Sequence, residues 1–299
     1  MSPPSTLHSR IQNARRRLER AGIEPSEAAL DADLLARHAL GGWERGRLIA
    51  AMRDPVPAGF DEAFEPLVSR RLEREPAAYI TGRREFWNID IEVAPGVLIP
   101  RPETEFIVEE VIDRVAGASA PLRIADVGTG SGCLAVALAR WLPAAHVTAI
   151  DVSPVALAIA ARNVTRHDVA SRVSLVGGDL LDAQEGPFDI IVSNPPYVPG
   201  RDIPTLQREV RDFEPVGALD GGPDGLDIIR RLVPEAASRL VGGGWLVFEF
   251  GFGQEGGVRA IIEAEPQLEL VAVREDLAGI PRIAVARMRA SGSACLTSA

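Results

Sequence analysis

The residues with the most specific chemistry are Asn194-Pro195-Pro196-Tyr197, which follow the apolar run 188–193. An apolar run of this length is typical of a buried strand, and ligands of open α/β sheets bind at the carboxyl ends of strands. A planar NH2 group, in a carboxamide or on a nucleic-acid base, is a poor nucleophile because its lone pair is delocalised. An enzyme that uses such a group must therefore orient it and hold its hydrogens with acceptors.

Each of the four residues can contribute to that task. Asn194 offers a side-chain carbonyl, and Pro195 offers a main-chain carbonyl that Pro196 keeps extended. Tyr197 offers a flat ring against which a planar group can stack. We therefore predict Asn194, Pro195 and Tyr197 as catalytic residues and all four as substrate-binding residues. The alternative is a strand end followed by a proline-rich turn, with Tyr197 as ordinary packing.

A glycine-rich turn follows another predicted strand, 122–127, and precedes a predicted helix, 133–141. The turn consists of Gly128, Thr129, Gly130, Ser131 and Gly132. Glycines at alternate positions let the backbone approach a ligand closely, with the N–H groups of the helix facing it. The next predicted strand, 147–150, ends at Asp151, whose carboxylate can accept both hydroxyls of a ribose. This order of elements predicts a nucleoside-binding site, and a purely structural strand-to-helix turn is the alternative.

A third predicted strand, 173–176, leads to Asp179 and Leu180. In this topology the end of the third strand lies beside the base of a bound nucleoside. Asp179 can then accept from an exocyclic amine, and Leu180 can pack on the ring. The alternative is a loop aspartate that caps a turn.

Composition limits the classes of protein that need to be considered. The chain has 299 residues, 46% of them hydrophobic, which suits one large or two modest domains. No long uncharged apolar run and no apolar signal-peptide core are present, so we expect a cytoplasmic protein without membrane spans. The two cysteines and four histidines show no ligand spacing, so no metal site is expected. A net charge of −10 argues against nucleic acid as a direct partner.

The amino-terminal part is predicted to be a small helical domain, 1–83. Apolar residues recur there at three- and four-residue spacing, with glycine and proline breaks between the segments. Arginines cluster on the predicted helices, and the simplest interpretation is that they lie on solvated helix faces, with a partner-docking surface as the alternative. The arginines concerned are Arg15, Arg16, Arg17, Arg20, Arg70, Arg71 and Arg74.

Residues 84–100 are predicted to form a β-hairpin connector that turns at Ala94-Pro95-Gly96. The next segment carries two prolines that restrict the backbone before a helix, 106–115, with Pro102 at its first turn. A rigid arm of this kind, with Arg101 and Glu103, can reach a site on the neighbouring domain. We therefore include both residues among the substrate-binding candidates, and a simple helix entry is the alternative.

The last two predicted strands, 268–274 and 282–288, decide the fold class of the second domain, 101–289. Only seven residues separate them, and a parallel crossover needs about a dozen or more, so the pair is expected to be antiparallel. Nicotinamide-binding Rossmann domains end on a parallel strand. An antiparallel end is typical of the Rossmann-like, seven-stranded sheet of class I S-adenosylmethionine-dependent methyltransferases. We predict that α/β fold here, and a disordered tail over 290–299.

Several segments of the chain, spread from about residue 10 to residue 288, closely resemble the bacterial release factor glutamine methyltransferases. The most specific of them is the run that ends at Glu105. The segments are 74–82 (REPAAYITG), Phe86-Trp87, 97–105 (VLIPRPETE), 126–132 (DVGTGSG), 193–197 (SNPPY) and Asp224-Gly225-Leu226.

The resemblance implies methyl transfer from S-adenosylmethionine, by direct in-line displacement, to the side-chain amide nitrogen (N5) of a glutamine. That glutamine belongs to the Gly-Gly-Gln loop of peptide chain release factors, and S-adenosylhomocysteine is the other product. By position, the turn 128–132 would line the methionine and ribose of the cofactor, Asp151 would hold the ribose, and Asn194 would also contact the cofactor. Asp179 and Leu180 would flank the adenine, Asn194 to Tyr197 would hold the glutamine, and the helical domain would dock the release factor.

Three other functions are weighed against this one. An adenine-N6 methyltransferase of nucleic acids would use the same Asn-Pro-Pro-Tyr chemistry on a flipped base. A binding protein that clamps release factors or the ribosome would need no turnover, and intact cofactor and amide motifs argue against it. A nicotinamide oxidoreductase would need a parallel final strand.

Overall fold

The computed structural model describes residues 6–116, 120–182 and 186–290. It divides into two compact units, Met1–Arg83 with Gln207–Phe213, and Arg84–Leu206 with Glu214–Ala299. From residue 291 on, the tail predicted to be disordered lies outside the described residues. Over the three described ranges, no helix combines the length and the apolar character that crossing a membrane requires.

The first unit is helical in its described residues. Its helices are α1 (Leu7–Arg20), α2 (Pro25–Ala39), α3 (Arg45–Ala51), α4 (Phe60–Leu72), α5 (Ala77–Thr81) and α9 (Arg208–Phe213). Thr6 begins α1 with a capping box, in which its hydroxyl accepts the N–H of Ser9 and the Ser9 hydroxyl accepts the N–H of Thr6. Leu7, Ile11 and Leu18 lie on one face of α1 and are fully or almost fully buried. The spacing of apolar residues therefore builds the core of this unit.

Arg71 corrects one of our sequence predictions, because it is not on a solvated helix face. Its side chain is 1% exposed and donates hydrogen bonds to Glu27 (2.8 Å), Asp31 (2.6 Å) and Glu209 (2.8 Å). Arg74 donates to the other oxygen of Glu209 at 2.7 Å. Helical spacing does not distinguish a buried arginine from an exposed one when its carboxylate partners come from distant parts of the chain. These ion pairs attach α9 to the helical unit.

The second unit begins with a two-stranded sheet, β1 (Arg83–Phe86) and β2 (Ile89–Glu92). A hairpin was predicted in this region with its turn at Ala94-Pro95-Gly96. The chain does turn there, where the N–H of Val97 donates to the carbonyl of Ala94 at 3.4 Å, but the paired strands lie before that turn. The hairpin itself turns at Trp87 and Asn88, which both have positive φ, 50° and 56°. Two positive φ values are what a tight two-residue hairpin requires, and the usual Asn-Gly signal is missing because a tryptophan takes the first position.

The remaining strands form a seven-stranded sheet among the described residues, in the order β5-β4-β3-β6-β7-β9-β8. The strands are β3 (Arg123–Val127), β4 (His146–Asp151), β5 (Val173–Gly177), β6 (Phe188–Ser193), β7 (Leu240–Glu249), β8 (Leu268–Glu275) and β9 (Pro281–Met288). The first five are parallel, and β9 pairs antiparallel with β7 and β8. The predicted sheet with an antiparallel end is confirmed.

Helices cover this sheet: α6 (Glu105–Val115), α7 (Cys133–Trp141), α8 (Pro154–Arg166), α10 (Asp227–Arg239) and α11 (Glu255–Glu263). The apolar run 245–250 predicts a buried strand, and the strand β7 begins at Leu240, five residues before that run. Its main chain pairs with β6 from Phe188↔Leu240 onward, and glycines there supply no side-chain pattern that predicts the pairing.

The register of the parallel strands places the predicted chemistry on one edge. Val127 pairs with Ile150 of β4 and with Ser193 of β6, and Ser193 pairs with Phe248 of β7. The residues that follow these positions, including Gly128, Asp151, Asn194 and Glu249, therefore leave the sheet at the same carboxyl edge.

Candidate active site

A cavity of about 310 Å³ opens at this edge of the sheet. Its wall includes the glycine turn after β3, Asp151 after β4, and Asn194 and Pro196 after β6. Two further segments contribute, one from Gly96 to Thr104 and one from Pro215 to Ala218. The cavity therefore brings together the predicted nucleoside-binding turn and two residues of the predicted amide-binding corner, whereas Pro195 and Tyr197 are not among its described lining residues.

The glycine turn is held by hydrogen bonds to the neighbouring strand. The N–H groups of Gly128 and Thr129 both donate to the carbonyl of Ile150 at 2.9 Å. The N–H of Gly130 donates to Oδ2 of Asp151 at 2.8 Å, and the N–H of Ser153 donates to Oδ1 at 2.9 Å. These bonds orient the Asp151 carboxylate on the cavity wall.

Asp126, the last acid before the turn, is 1% exposed. One of its oxygens, Oδ2, accepts from the Thr129 hydroxyl at 2.6 Å and from the N–H of Ala135 at 3.1 Å. Burial raises the pKa of Asp126 to about 7, although both hydrogen bonds act in the opposite direction. Asp126 thus joins the turn to the first turn of α7.

The lining fits a nucleoside cofactor that carries ribose hydroxyls. Gly128 and Gly130 have φ of 73° and 56°, and a Cβ at either would meet open space. The backbone is therefore accessible along the turn. Asp151 supplies acceptors for hydroxyl donors, and Leu134, Val152 and Ala156 supply apolar wall. Binding sites for small ligands combine a mainly apolar lining with a few fixed polar groups in this way.

At the other side of the cavity, Asn194 is the start of a short chain of hydrogen bonds. Nδ2 of Asn194 donates to Oγ1 of Thr104 at 2.8 Å, and Oγ1 of Thr104 donates to Oε2 of Glu249 at 2.7 Å. The Tyr197 hydroxyl donates to Oε1 of the same glutamate at 2.8 Å. One buried carboxylate therefore connects the asparagine and the tyrosine of the predicted corner.

Sequence analysis did not predict Thr104 or Glu249 as site residues. Thr104 lies in the 97–105 run, where we chose its charged neighbours instead. Glu249 is an acid at the end of an apolar strand, which is the same signal that singled out Asp151. Applied to every predicted strand, that signal would have found it.

Burial shifts the pKa values of two side chains in the corner, Glu249 and Tyr197. Burial raises the pKa of Glu249, while the hydrogen bonds from Thr104 and Tyr197 lower it. The pKa of the Tyr197 hydroxyl lies well above its usual value, first because it is buried and second because of the negative Glu249. Tyr197 therefore keeps its proton and acts as a donor.

The segment Asp224-Gly225-Leu226 supports the corner from behind. Nε2 of Gln254 donates to the carbonyls of Tyr197 (2.8 Å) and Asp224 (3.2 Å). Gly225 has φ of 80°, and a Cβ there would lie 2.2 Å from the carbonyl oxygen of Tyr197. Only glycine fits this close approach, which explains a glycine in a motif that lacks chemistry of its own.

Arg101 and Glu103 precede Thr104 in a segment whose residues Pro102–Thr104 form one turn of 3-10 helix. Arg101 donates to Glu214 at 2.6 Å, and the same carboxylate accepts the N–H of Ile99 at 3.1 Å. Arg101 and Glu103 are not among the described residues that line the cavity. Their substrate-binding role stays a prediction.

Asp179 and Leu180 follow β5, as predicted, but neither belongs to the described lining of the cavity. Asp179 accepts a hydrogen bond from Arg231 at 2.7 Å, with both side chains about half exposed. Leu180 is 9% exposed and has a positive φ of 51°. Their contact with an adenine stays a prediction.

Comparison with known proteins gives matches over both parts of the chain. Residues 10–82 match the family model described as PrmC N-terminal domain, and residues 104–210 match the Methyltransferase small domain. The chain is 46% identical to the release factor glutamine methyltransferase of Geobacter sulfurreducens, over 83% of this chain and 85% of the relative. It is 41% identical to the release factor glutamine methyltransferase of Bradyrhizobium diazoefficiens, over 96% of this chain and 97% of the relative.

Among solved structures, the hMettl16 catalytic domain in complex with MAT2A 3′UTR hairpin 1 superposes with a TM-score of 0.54. The superposition covers 74% of this chain and 80% of that chain, at 16% identity. At this level of identity the likeness concerns the fold alone.

Proposed function

Since the chain belongs to the release factor glutamine methyltransferase family, we propose that it uses S-adenosylmethionine to methylate a glutamine side chain of peptide chain release factors. Identity of 46% and 41% to two members, over most of both chains, supports this assignment. In detail, we propose that the methyl group goes to N5 of the glutamine in the Gly-Gly-Gln loop. We also infer a cytoplasmic location, since translation terminates there.

The observation that carries the proposal is the orientation of the Asn194 amide on the cavity wall. One hydrogen of its NH2 group is donated to Thr104, which fixes that end of the amide, and Asn194 lines the cavity, so we infer that Oδ1 is the atom presented to a ligand. A glutamine side chain presents two N–H donors and needs acceptors to hold them. Oδ1 of Asn194 and the carbonyl oxygen of Pro195 would accept these two hydrogens.

Acceptors on both hydrogens assist the reaction as well as the binding. The amide nitrogen gains one methyl group and releases one proton, so positive charge develops on it as the new bond forms. Oxygen acceptors that are already in place stabilise this charge more in the transition state than in the ground state. Tyr197 would lie against the planar amide and limit its rotation, which favours a productive orientation.

The residues that would hold the cofactor are those of the turn 128–132 and Asp151, with Asp179 and Leu180 proposed to flank the adenine. When bound, S-adenosylmethionine supplies an electrophilic methyl group on a sulfonium. Because the cofactor carries the positive charge itself, the chain needs to supply position and to exclude water. We propose direct in-line transfer for this reason.

The proposed reaction can be tested by mass spectrometry. The full chain is incubated with S-adenosylmethionine and a purified release factor, and the Gly-Gly-Gln peptide is then analysed by fragmentation. We expect one added methyl group on the glutamine side chain and an equal amount of S-adenosylhomocysteine. A release factor with alanine in place of that glutamine is the matched control and is expected to remain unmodified.

An adenine-containing nucleic acid should be offered in parallel. We expect no methylation of duplex DNA or hairpin RNA under conditions that modify the release factor. Methylation of adenine with an unmodified release factor would overturn the proposal in favour of the nucleic-acid methyltransferase. Binding of the release factor without any S-adenosylhomocysteine would overturn it in favour of a binding protein.

A further inference from the structure

We propose that Thr104 and Glu249 are positioning residues, which determine the direction in which Asn194 presents its amide to the substrate. The proposal rests on the proposed function, because it concerns how that reaction's substrate is held. It gives a role to two side chains, Thr104 and Glu249, whose function the family motifs did not explain.

The three residues come from three different elements. Asn194 directly follows β6, Glu249 is the last residue of β7, and Thr104 ends the single turn of 3-10 helix before α6. Because Ser193 pairs with Phe248, the next residue of each strand lies at the same level of the sheet edge. Thr104 lies within hydrogen-bond distance of both, at 2.8 Å and 2.7 Å.

The direction of the hydrogen bonds follows from the number of hydrogens available. In its carboxylate form Glu249 carries no hydrogen, and each of its oxygens accepts one hydroxyl, Oε2 from Thr104 at 2.7 Å and Oε1 from Tyr197 at 2.8 Å. A hydroxyl has only one hydrogen, and Thr104 has used it. The threonine oxygen can then only accept from Asn194, and only the NH2 end of that amide can donate.

The alternative orientation of Asn194 shows why this matters. A carboxamide has nearly the same shape after a rotation of 180° about its terminal bond, so shape alone does not select one orientation. In the flipped state the NH2 group would face the substrate, whose own amide also presents hydrogens. The NH2 groups of Asn194 and of the substrate amide would then face each other. Buried N–H donors without acceptors cost free energy. The chain from Glu249 through Thr104 excludes this state.

Burial strengthens the preference for one orientation of the Asn194 amide. Thr104 is 2% exposed and Glu249 is 1% exposed. Water is therefore restricted from replacing either partner, and the hydroxyl has no competing donor or acceptor from solvent. A hydrogen-bond chain in such surroundings is stronger than the same chain at the surface.

The first experiment removes the hydroxyl without changing the shape of the side chain. For Thr104→Val we expect kcat for release-factor methylation to fall about tenfold, the effect of losing one orienting hydrogen bond. Thr104→Ser keeps the hydroxyl and is expected to recover most of this loss. Thr81→Val is the matched control, since Thr81 is also buried and its described hydroxyl bonds go to the backbone carbonyls of Ala77, Ala78 and Arg83. It is expected to keep the wild-type kcat.

The second experiment is a double-mutant cycle with Asn194→Ala. If Thr104 acts only by orienting Asn194, then Thr104→Val has nothing left to disturb once the amide is gone. We expect the double variant to have the kcat of Asn194→Ala alone, within about twofold. A purely structural role would instead reduce kcat by the same factor in both backgrounds.

The outcomes separate this proposal from the proposed function. If the wild-type chain does not methylate a release factor, the proposed function fails. If it does, a Thr104→Val variant with wild-type kcat, or a tenfold effect that persists in the Asn194→Ala background, overturns the positioning role. Thermal unfolding and the Kd of S-adenosylmethionine, measured on every variant, identify a loss that comes from the fold or the cofactor pocket, and such a loss overturns it too.

Discussion

The helical unit and the unit that carries the cavity both bury charged side chains, and they satisfy them in different ways. In the helical unit, the buried Arg71 is surrounded by Glu27, Asp31 and Glu209, so opposite charges face each other. At the active site, the described hydrogen-bond partners of the buried Glu249 are two neutral hydroxyls. The first arrangement holds distant chain segments together, whereas the second sets the direction of hydrogen bonds.

The two arrangements give the buried charge different roles in the two units. An ion pair compensates charge, and removal of one partner leaves the other buried and unpaired. A carboxylate that accepts only from hydroxyls defines which atoms donate, because it has no hydrogen to offer. We therefore expect changes in the Arg71 cluster to affect stability and changes around Glu249 to affect turnover.

The largest expected effect is on stability. Arg71→Met removes the buried cation that Asp31 and Glu209 share, while Arg74 still donates to Glu209, and we expect a loss of about 3–5 kcal/mol in the free energy of unfolding. Denaturant unfolding of the full chain measures it. Arg230→Met is the control, since Arg230 pairs with Asp224 and Asp227 at an exposed site and is expected to change the free energy of unfolding far less. Equal losses in the two variants would contradict the comparison.

The next effect is on catalysis. Asn194→Ala removes the acceptor for one substrate N–H, and we expect kcat to fall by about a hundredfold, as when an enzyme loses one transition-state hydrogen bond. The Kd of S-adenosylmethionine, measured by calorimetry, is expected to change much less. If kcat falls and the Kd of S-adenosylmethionine rises by the same factor, Asn194 mainly builds the cofactor pocket and its proposed role is wrong.

Asp126 is a third buried titratable group, and its effect depends on pH. Asp126 is protonated more readily in the folded chain, because burial raises its pKa from 3.8 to about 7. The folded state therefore binds more protons than the unfolded state between these values. The stability from this group is complete below about pH 4 and is lost as the pH rises through about 7.

Asp126→Asn removes this dependence and keeps an oxygen for the hydrogen bonds from Thr129 and Ala135. We expect the variant to gain about 2 kcal/mol over the wild type between pH 5 and pH 8, measured as unfolding free energies without cofactor. A difference that stays constant with pH would show that Asp126 is ionised throughout this range.

The smallest expected effect is that of Glu249→Gln, which is isosteric but replaces one acceptor oxygen by an NH2 donor. One of the two hydroxyls then loses its acceptor, and we expect a fall of about tenfold in kcat with a small change in unfolding free energy. Steady-state kinetics and thermal unfolding on the same preparation separate the two. A large loss of stability with unchanged kcat would show that Glu249, like Arg71, contributes to stability and not to turnover.

Much of this molecule could be predicted because local patterns decide it. Apolar runs that end in Gly128, Asp151 and Asn194 predicted strands whose carboxyl ends carry the chemistry, and a seven-residue connection predicted the antiparallel end of the sheet. The turn of the hairpin was misplaced because Trp87-Asn88 is an unusual sequence for two positive φ values. Arg71 was misassigned because helical spacing carries no information on distant partners.

The sequence by itself determined the type of fold, the turn and corner that face the cavity, and the family to which the chain belongs. Each of these depends on residues that are close in the chain. Tertiary structure alone decided that Thr104, Asn194 and Glu249 meet in one chain of hydrogen bonds, since up to 145 positions separate them. The physical reason is that a hydrogen bond has a direction only when donor and acceptor are in contact, and strand register brings these three into contact.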